Sequence, residues 1–130
     1  MTGELYPAVT PDLSRMRRQL APDAAAAFHD FGKTVFADGA LSTRTKHVIA
    51  VAVAHVTQCP YCIRGHTRAA LRDGASHEEL MEAIWVAAEM RAGGAFAHSI
   101  IAIAEINEAR LAADNDHPSH TFALGEQHGH

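Results

Sequence analysis

The sequence predicts an all-α protein, and three observations predict it. Helix-start signals recur along the chain: Pro11-Asp12, Pro22-Asp23, and Ser76 with Glu79 at capping-box spacing. Behind the last of these, apolar residues repeat three and four apart, the spacing of one helix face. Only one stretch alternates like a strand, and no Asn-Gly hairpin signal accompanies it, so it has nothing to pair with. At 130 residues, 48% hydrophobic and 20% charged, the chain fits one domain with a modest core.

The elements follow in order. "TPDLSRMRRQLAPDAAAAFHDFGKTVFADG" reads as two helices opened by Pro11-Asp12 and Pro22-Asp23, with a turn at Asp38-Gly39. "KHVIAVAVAHVTQ" is the strand-like run, Ile49, Val51 and Val53 alternating with alanines. A strand entering a Cys-x-x-Cys helix would be the thioredoxin arrangement, but no second strand exists to satisfy its backbone groups. Thr43 to Gln58 is therefore expected to be a helix buried on most sides, with Ser42 as its N-cap. Proline cannot continue a helix from its middle but suits the first position, so the chain should break near Gln58 and restart through Pro60, ending at Asp73-Gly74. "SHEELMEAIWVAAEMRAGG" is the next helix, ended by Gly93-Gly94, and Ala95 to Ala113 is expected to form a separate one. Residues 1–113 thus form the helical domain. The remainder, 114–130, has four histidines and little to bury, and reads as a mobile tail or an inter-subunit arm.

Charge and hydropathy exclude several functions. A formal net charge of −4, with no basic cluster larger than Arg15, Arg17 and Arg18, argues against a nucleic-acid surface. The longest apolar run, Val48 to Ala54, falls far short of the ~20 residues of a membrane span. The N-terminus lacks the charged-then-apolar order of a secretory signal. A cytoplasmic, reducing compartment is the expectation, and there two close cysteines serve catalysis or metal binding more often than they serve as a staple.

Both cysteines lie in "HVTQCPYCIRGH". At the start of a helix, unpaired N–H groups and the macrodipole favour thiolate over thiol. His66 follows Cys62 by four residues, about one turn, which puts imidazole and sulfur on one face. Such a histidine can accept the thiol proton near neutral pH. Three other readings stand beside this one. The cysteines can be inert core residues. They can form a structural disulfide, although closing so small a ring gains only about 2 kcal/mol against nearly 5 for a long loop. Or Cys59, Cys62 and His66 can hold zinc with a fourth ligand from elsewhere.

The stretch Leu41 to Ser99, above all "CPYCIRGHTRAAL" followed by "DGASHEEL", resembles the carboxymuconolactone decarboxylase superfamily in its alkylhydroperoxidase AhpD-like branch. The resemblance implies an all-α AhpD-like bundle, subunits assembled as homotrimers or homohexamers, and thiol-dependent peroxidase or disulfide-reductase activity. The decarboxylase branch generally lacks the Cys pair. Carried over, the resemblance makes Cys62 the thiol that attacks peroxide, Cys59 its resolving partner and His66 the proton acceptor. Thioredoxin-like logic would instead favour Cys59, nearest the helix terminus. Two positions depart from the pattern: His47 stands where the family has a relay glutamate, and Tyr61 where it has a histidine between the cysteines. His47, His55, Glu82 and His98 are the candidates for a proton relay. The expected cycle runs from thiolate to sulfenic acid to intramolecular disulfide and is reset by an unidentified dithiol. No flavin or nicotinamide fingerprint is present, and neither cofactor nor metal is expected. The alternatives are a non-catalytic assembly module with a structural or zinc-binding Cys pair and, more distantly, a decarboxylase-type enzyme. Helices apolar on more than one face support an oligomer on physical grounds as well.

Overall fold

The structure is a computed structural model that describes residues 5–117. Those residues contain five helices and no strand: α1 (Pro11–Leu20), α2 (Pro22–Phe36), α3 (Thr43–Thr57), α4 (Pro60–Arg72) and α5 (His77–Asp116). None of these helices is long and apolar enough to cross a membrane. The chain divides into two units, residues 1–91 and residues 92–130.

In the first unit, most helix ends are set by local chemistry. The hydroxyl of Thr10 accepts the Leu13 N–H at 3.2 Å to open α1, and Pro22 occupies the first turn of α2. Ser42 caps α3 by accepting the Thr45 N–H at 3.1 Å. The end of α2 is tied to the start of α3: Lys46 donates to the Val35 and Ala37 carbonyls, Thr43 Oγ1 donates to the Phe36 carbonyl at 2.7 Å, and Asp38 accepts the Thr43 N–H at 2.8 Å. These bonds satisfy carbonyls that a helix leaves without partners at its C-terminus. They also hold the Asp38 carboxyl below its usual pKa, chiefly through the Thr43 N–H.

The reversal between α3 and α4 places the cysteines. Gln58 adopts the left-handed conformation, φ 60° and ψ 48°, and the N–H groups of Gln58 and Cys59 both return to the Ala54 carbonyl. Pro60 then starts α4. The second reversal uses Gly74 at φ 95°, a region that costs other residues strain. Helices α3 and α4 form an antiparallel hairpin that buries the small side chains Ala54, Ala69 and Ala70. With Val51, Ala75 and Leu80, and with Val48 and Ile84 alongside, they make the core.

Two expectations are corrected. Helix α3 is not buried on most sides: Val51 and Ala54 are covered, but Ile49, Val53 and Val56 remain exposed, because this chain covers little more than one side of it. Nor do Gly93 and Gly94 end a helix; α5 continues from His77 to Asp116. Both glycines keep helical backbone, since Gly74 is the described glycine with positive φ. Two mid-helix glycines cost about 2 kcal/mol relative to alanine, and strong helix formers with no proline on either side outweigh that. In the second unit, Phe96, Ile100, Ile103 and Ile106 recur at helical spacing with their side chains exposed. The expected tail largely lies outside the described residues.

Candidate active site

Cys59 is the N-cap of α4, and its sulfur accepts the Cys62 N–H at 3.2 Å. The two sulfurs are joined as a disulfide, with their Cα atoms 5.3 Å apart. One turn of helix opened by Pro60 is enough to bring the pair into bonding range. The two cysteines are not equivalent. Cys59 is half-buried under the reversal, whereas Cys62 is exposed and lines an open cleft of about 1050 Å³.

His66 and His47 line the same cleft. Their Nδ1 atoms are 3.0 Å apart, so one ring donates and the other accepts. The ring of Phe36 is stacked on both imidazoles, with centroid distances of 4.8 Å to His47 and 4.9 Å to His66. Beyond the pair, His47 Nε2 lies 3.9 Å from an Asp73 oxygen, too long for a hydrogen bond. Burial, and then the neighbouring His47, lower the His66 pKa below the ordinary histidine value. A histidine so placed is neutral at pH 7 and can accept a proton. With its Nδ1 committed to His47, His66 has Nε2 as its remaining ring nitrogen.

The remaining sequence candidates are placed elsewhere. His55 Nδ1 is 2.7 Å from the Val51 carbonyl, and the residue lines a different cleft with Gln58, Ile84 and Arg91. Glu82 is exposed on α5 and absent from the lining of the Cys62 cleft. His98 is on the same helix as Glu82, not on a separate one, and is exposed in the second unit. Tyr61, where the family pattern has a histidine, is engaged with the N-terminal segment: its hydroxyl donates to the Pro7 carbonyl at 2.8 Å and its ring meets Tyr6 edge-on. Among the described residues, no group of three His, Cys, Asp or Glu side chains is arranged to hold a metal ion.

Phe36 and Asp73 were not singled out from sequence. Phe36 carried only the signal of a helix end, and Asp73 that of a turn. Their part in the site follows from helix packing, since His47 and His66 are 19 residues apart.

An all-α hairpin that carries a Cys-x-x-Cys at one helix start, with a buried-edge histidine pair behind it, defines a thiol-bearing helical protein. Residues 22–105 match the carboxymuconolactone decarboxylase family, and the chain belongs to that family. It is 65% identical over 82 residues to uncharacterized protein 4 in the cox locus of Paracoccus denitrificans, covering 63% of this chain and 74% of that protein. An uncharacterized protein of Cupriavidus necator is 39% identical over 75 residues, which covers 58% of this chain and 66% of the other. Among solved structures, a Methanobacterium thermoautotrophicum protein superposes with TM-score 0.61 at 36% identity, over 64% of this chain and 93% of its own. A carboxymuconolactone decarboxylase family protein of Thermotoga maritima, described as a candidate in antioxidative response, superposes with TM-score 0.51 at 27% identity, over 71% and 95%.

Proposed function

We propose that the protein is a thiol-dependent hydroperoxidase of the AhpD-like kind, acting in the cytoplasm. The observation that carries this reading is the placement of Cys62: exposed in an open cleft beside the His66–His47 pair, and bonded to a second sulfur at a helix N-terminus. In the reduced protein, His66 accepts the Cys62 proton and the thiolate attacks the terminal oxygen of a hydroperoxide. The S–O bond forms, the O–O bond breaks, and the departing alkoxide takes the proton from His66 to leave as an alcohol. The Cys59 thiol then attacks the Cys62 sulfenic acid, giving the disulfide and water. A dithiol reductant attacks the exposed Cys62 sulfur. Cys59 departs as a thiolate stabilised by the N-terminus of α4, and the reductant leaves as its own disulfide with both its electrons donated. His47, backed by the Asp73 carboxylate, takes the place of the family's relay glutamate by holding the His66 tautomer and sharing its charge.

We also assign a homotrimeric or homohexameric assembly. Ile49, Val53, Trp85 and Val86 in the first unit, and Phe96 and Ile100 in the second, are too much exposed apolar surface for a soluble single chain. Sedimentation velocity should return three or six chain masses; a single-chain mass overturns the assembly.

The function is tested on the reduced, full-length chain under anaerobic conditions. Millimolar alkyl hydroperoxide should convert both thiols to the Cys59–Cys62 disulfide, and Cys59→Ser should trap a dimedone-reactive sulfenic acid at Cys62. If both thiols persist in the reduced state by mass spectrometry, the reading is lost.

A further inference from the structure

The walls of the Cys62 cleft carry a charge pattern that the proposed cycle does not use. Arg17 and Arg18 of α1, Lys33 of α2 and Arg72 of α4 line it, and no Asp or Glu does. The chain has 15 acidic residues against 11 basic ones, so a cleft lined by four of the basic residues and none of the acidic ones runs against the overall balance. These four cations also lack carboxylate partners among the described residues, where the ion pairs are Arg15–Asp12, Arg44–Glu79 and His47–Asp73. Arg18 donates to the Ser14 hydroxyl at 2.8 Å, which leaves its charge uncompensated. Phe28 and Phe36 add apolar, aromatic surface to the lining of the same cleft.

Size adds an independent constraint. An open cleft of about 1050 Å³ has room for a ligand of the size that fills pockets of roughly 300–1,000 Å³, whereas a water-sized molecule takes about 30 Å³. Hydrogen peroxide would leave it almost empty. A long apolar body with one anionic end would use the cations, the aromatic wall and the thiol together.

We infer that the substrate of Cys62 is an organic hydroperoxide with a carboxylate on an extended apolar chain, its carboxylate held by the basic residues Arg17, Lys33 and Arg72 that line the cleft. This rests on the hydroperoxidase reading above. The chemistry at sulfur is unchanged: the thiolate attacks the terminal peroxide oxygen, Cys62 becomes a sulfenic acid, and the substrate leaves as the corresponding hydroxy acid with its carboxylate intact. Cationic groups in a partly apolar cleft attract an anion more strongly than they would in open water, and the attraction weakens as salt screens it.

The test is single-turnover oxidation of the reduced full-length chain by linoleic acid hydroperoxide and by its methyl ester, both below their micellar concentrations, with thiol loss followed by alkylation and mass spectrometry. No reductant is present, so the return half-cycle cannot contribute. The acid should react about tenfold faster than the ester at low salt, a modest electrostatic preference, and added sodium chloride should shrink that ratio. In the Arg17→Gln/Arg72→Gln double variant the ratio should fall toward one. Because the ratio is internal to each variant, a folding defect that slows both reactions leaves it intact. Equal rates for acid and ester in the wild-type chain overturn the substrate inference and leave the hydroperoxidase reading standing. If neither compound oxidises Cys62, and neutral cumene hydroperoxide also fails, the hydroperoxidase reading falls and this inference falls with it.

Discussion

Two helix starts in this molecule use the same device for different ends. At α5, the Ser76 hydroxyl accepts the Glu79 N–H at 3.0 Å and the Glu79 carboxylate accepts the Ser76 N–H at 3.1 Å. Arg44 of α3 adds an ion pair to the same carboxylate at 2.5 Å. The Glu79 pKa is lowered, first by the Ser76 N–H and then by Arg44. At α4, the capping acceptor is the Cys59 sulfur, a weak acceptor, and no acidic residue sits in the first turn. One terminus has its donors and dipole answered by fixed oxygen atoms. The other leaves its positive end to a sulfur whose charge would change in the proposed redox cycle. A cap made of oxygen is structure, and a cap made of sulfur is available for chemistry.

The largest expected effect separates the two termini outright. Cys62→Ser should end hydroperoxide turnover while the circular dichroism spectrum is retained; turnover that survives, as a lactone-processing activity would, breaks the contrast. Next comes His66→Gln, which should slow thiol oxidation by about a hundredfold or more, the usual contribution of a positioned proton acceptor. That loss should be read as the rate of Cys62 oxidation in a single turnover, not as binding. At the structural terminus, Ser76→Ala should cost about 1 kcal/mol of stability, measured by urea unfolding, with no change in the rate of Cys62 oxidation.

The pH dependence is smaller and has a definite sign. His66 is held below the ordinary value of about 6.5. As pH falls from 6.5 through the lowered folded value, the unfolded chain takes up a proton that the folded chain refuses. Stability therefore drops across that window and is unaffected by this group above it. Urea unfolding between pH 5 and 7 should show a shallower acid slope in His66→Gln than in the wild type. Smallest of all, Cys59→Ser should raise the stability of the reduced protein by several tenths of a kcal/mol, because a hydroxyl caps better than a thiol. A loss of stability there would mean that the sulfur is the better cap and would undo the comparison.

Much of the first unit was legible locally. Pro11, Pro22 and Pro60 open helices, Ser42 caps one, and the Ser76–Glu79 box forms with both its bonds. The helical reading of Thr43 to Gln58 against its strand-like alternation succeeded, the helix running Thr43–Thr57 with Gln58 as its C-cap, because a lone strand leaves its backbone unsatisfied. Gly93-Gly94 misled because glycine is a stop only where the backbone must turn left-handed, and here it does not.

The amino-acid sequence by itself determined where the five observed helices begin, although it also offered a false start at Ala95, that Cys59 and Cys62 share one turn, and that His66 follows on the same face. Each of these depends on neighbours within about four residues, and such interactions are written in local order. Tertiary structure decided that His47 meets His66, that Phe36 stacks on both rings, that Asp73 lies behind them, and that basic side chains from three helices line one cleft. Those groups are separated along the chain by many turns. They come together only when apolar burial between the helices sets how they pack.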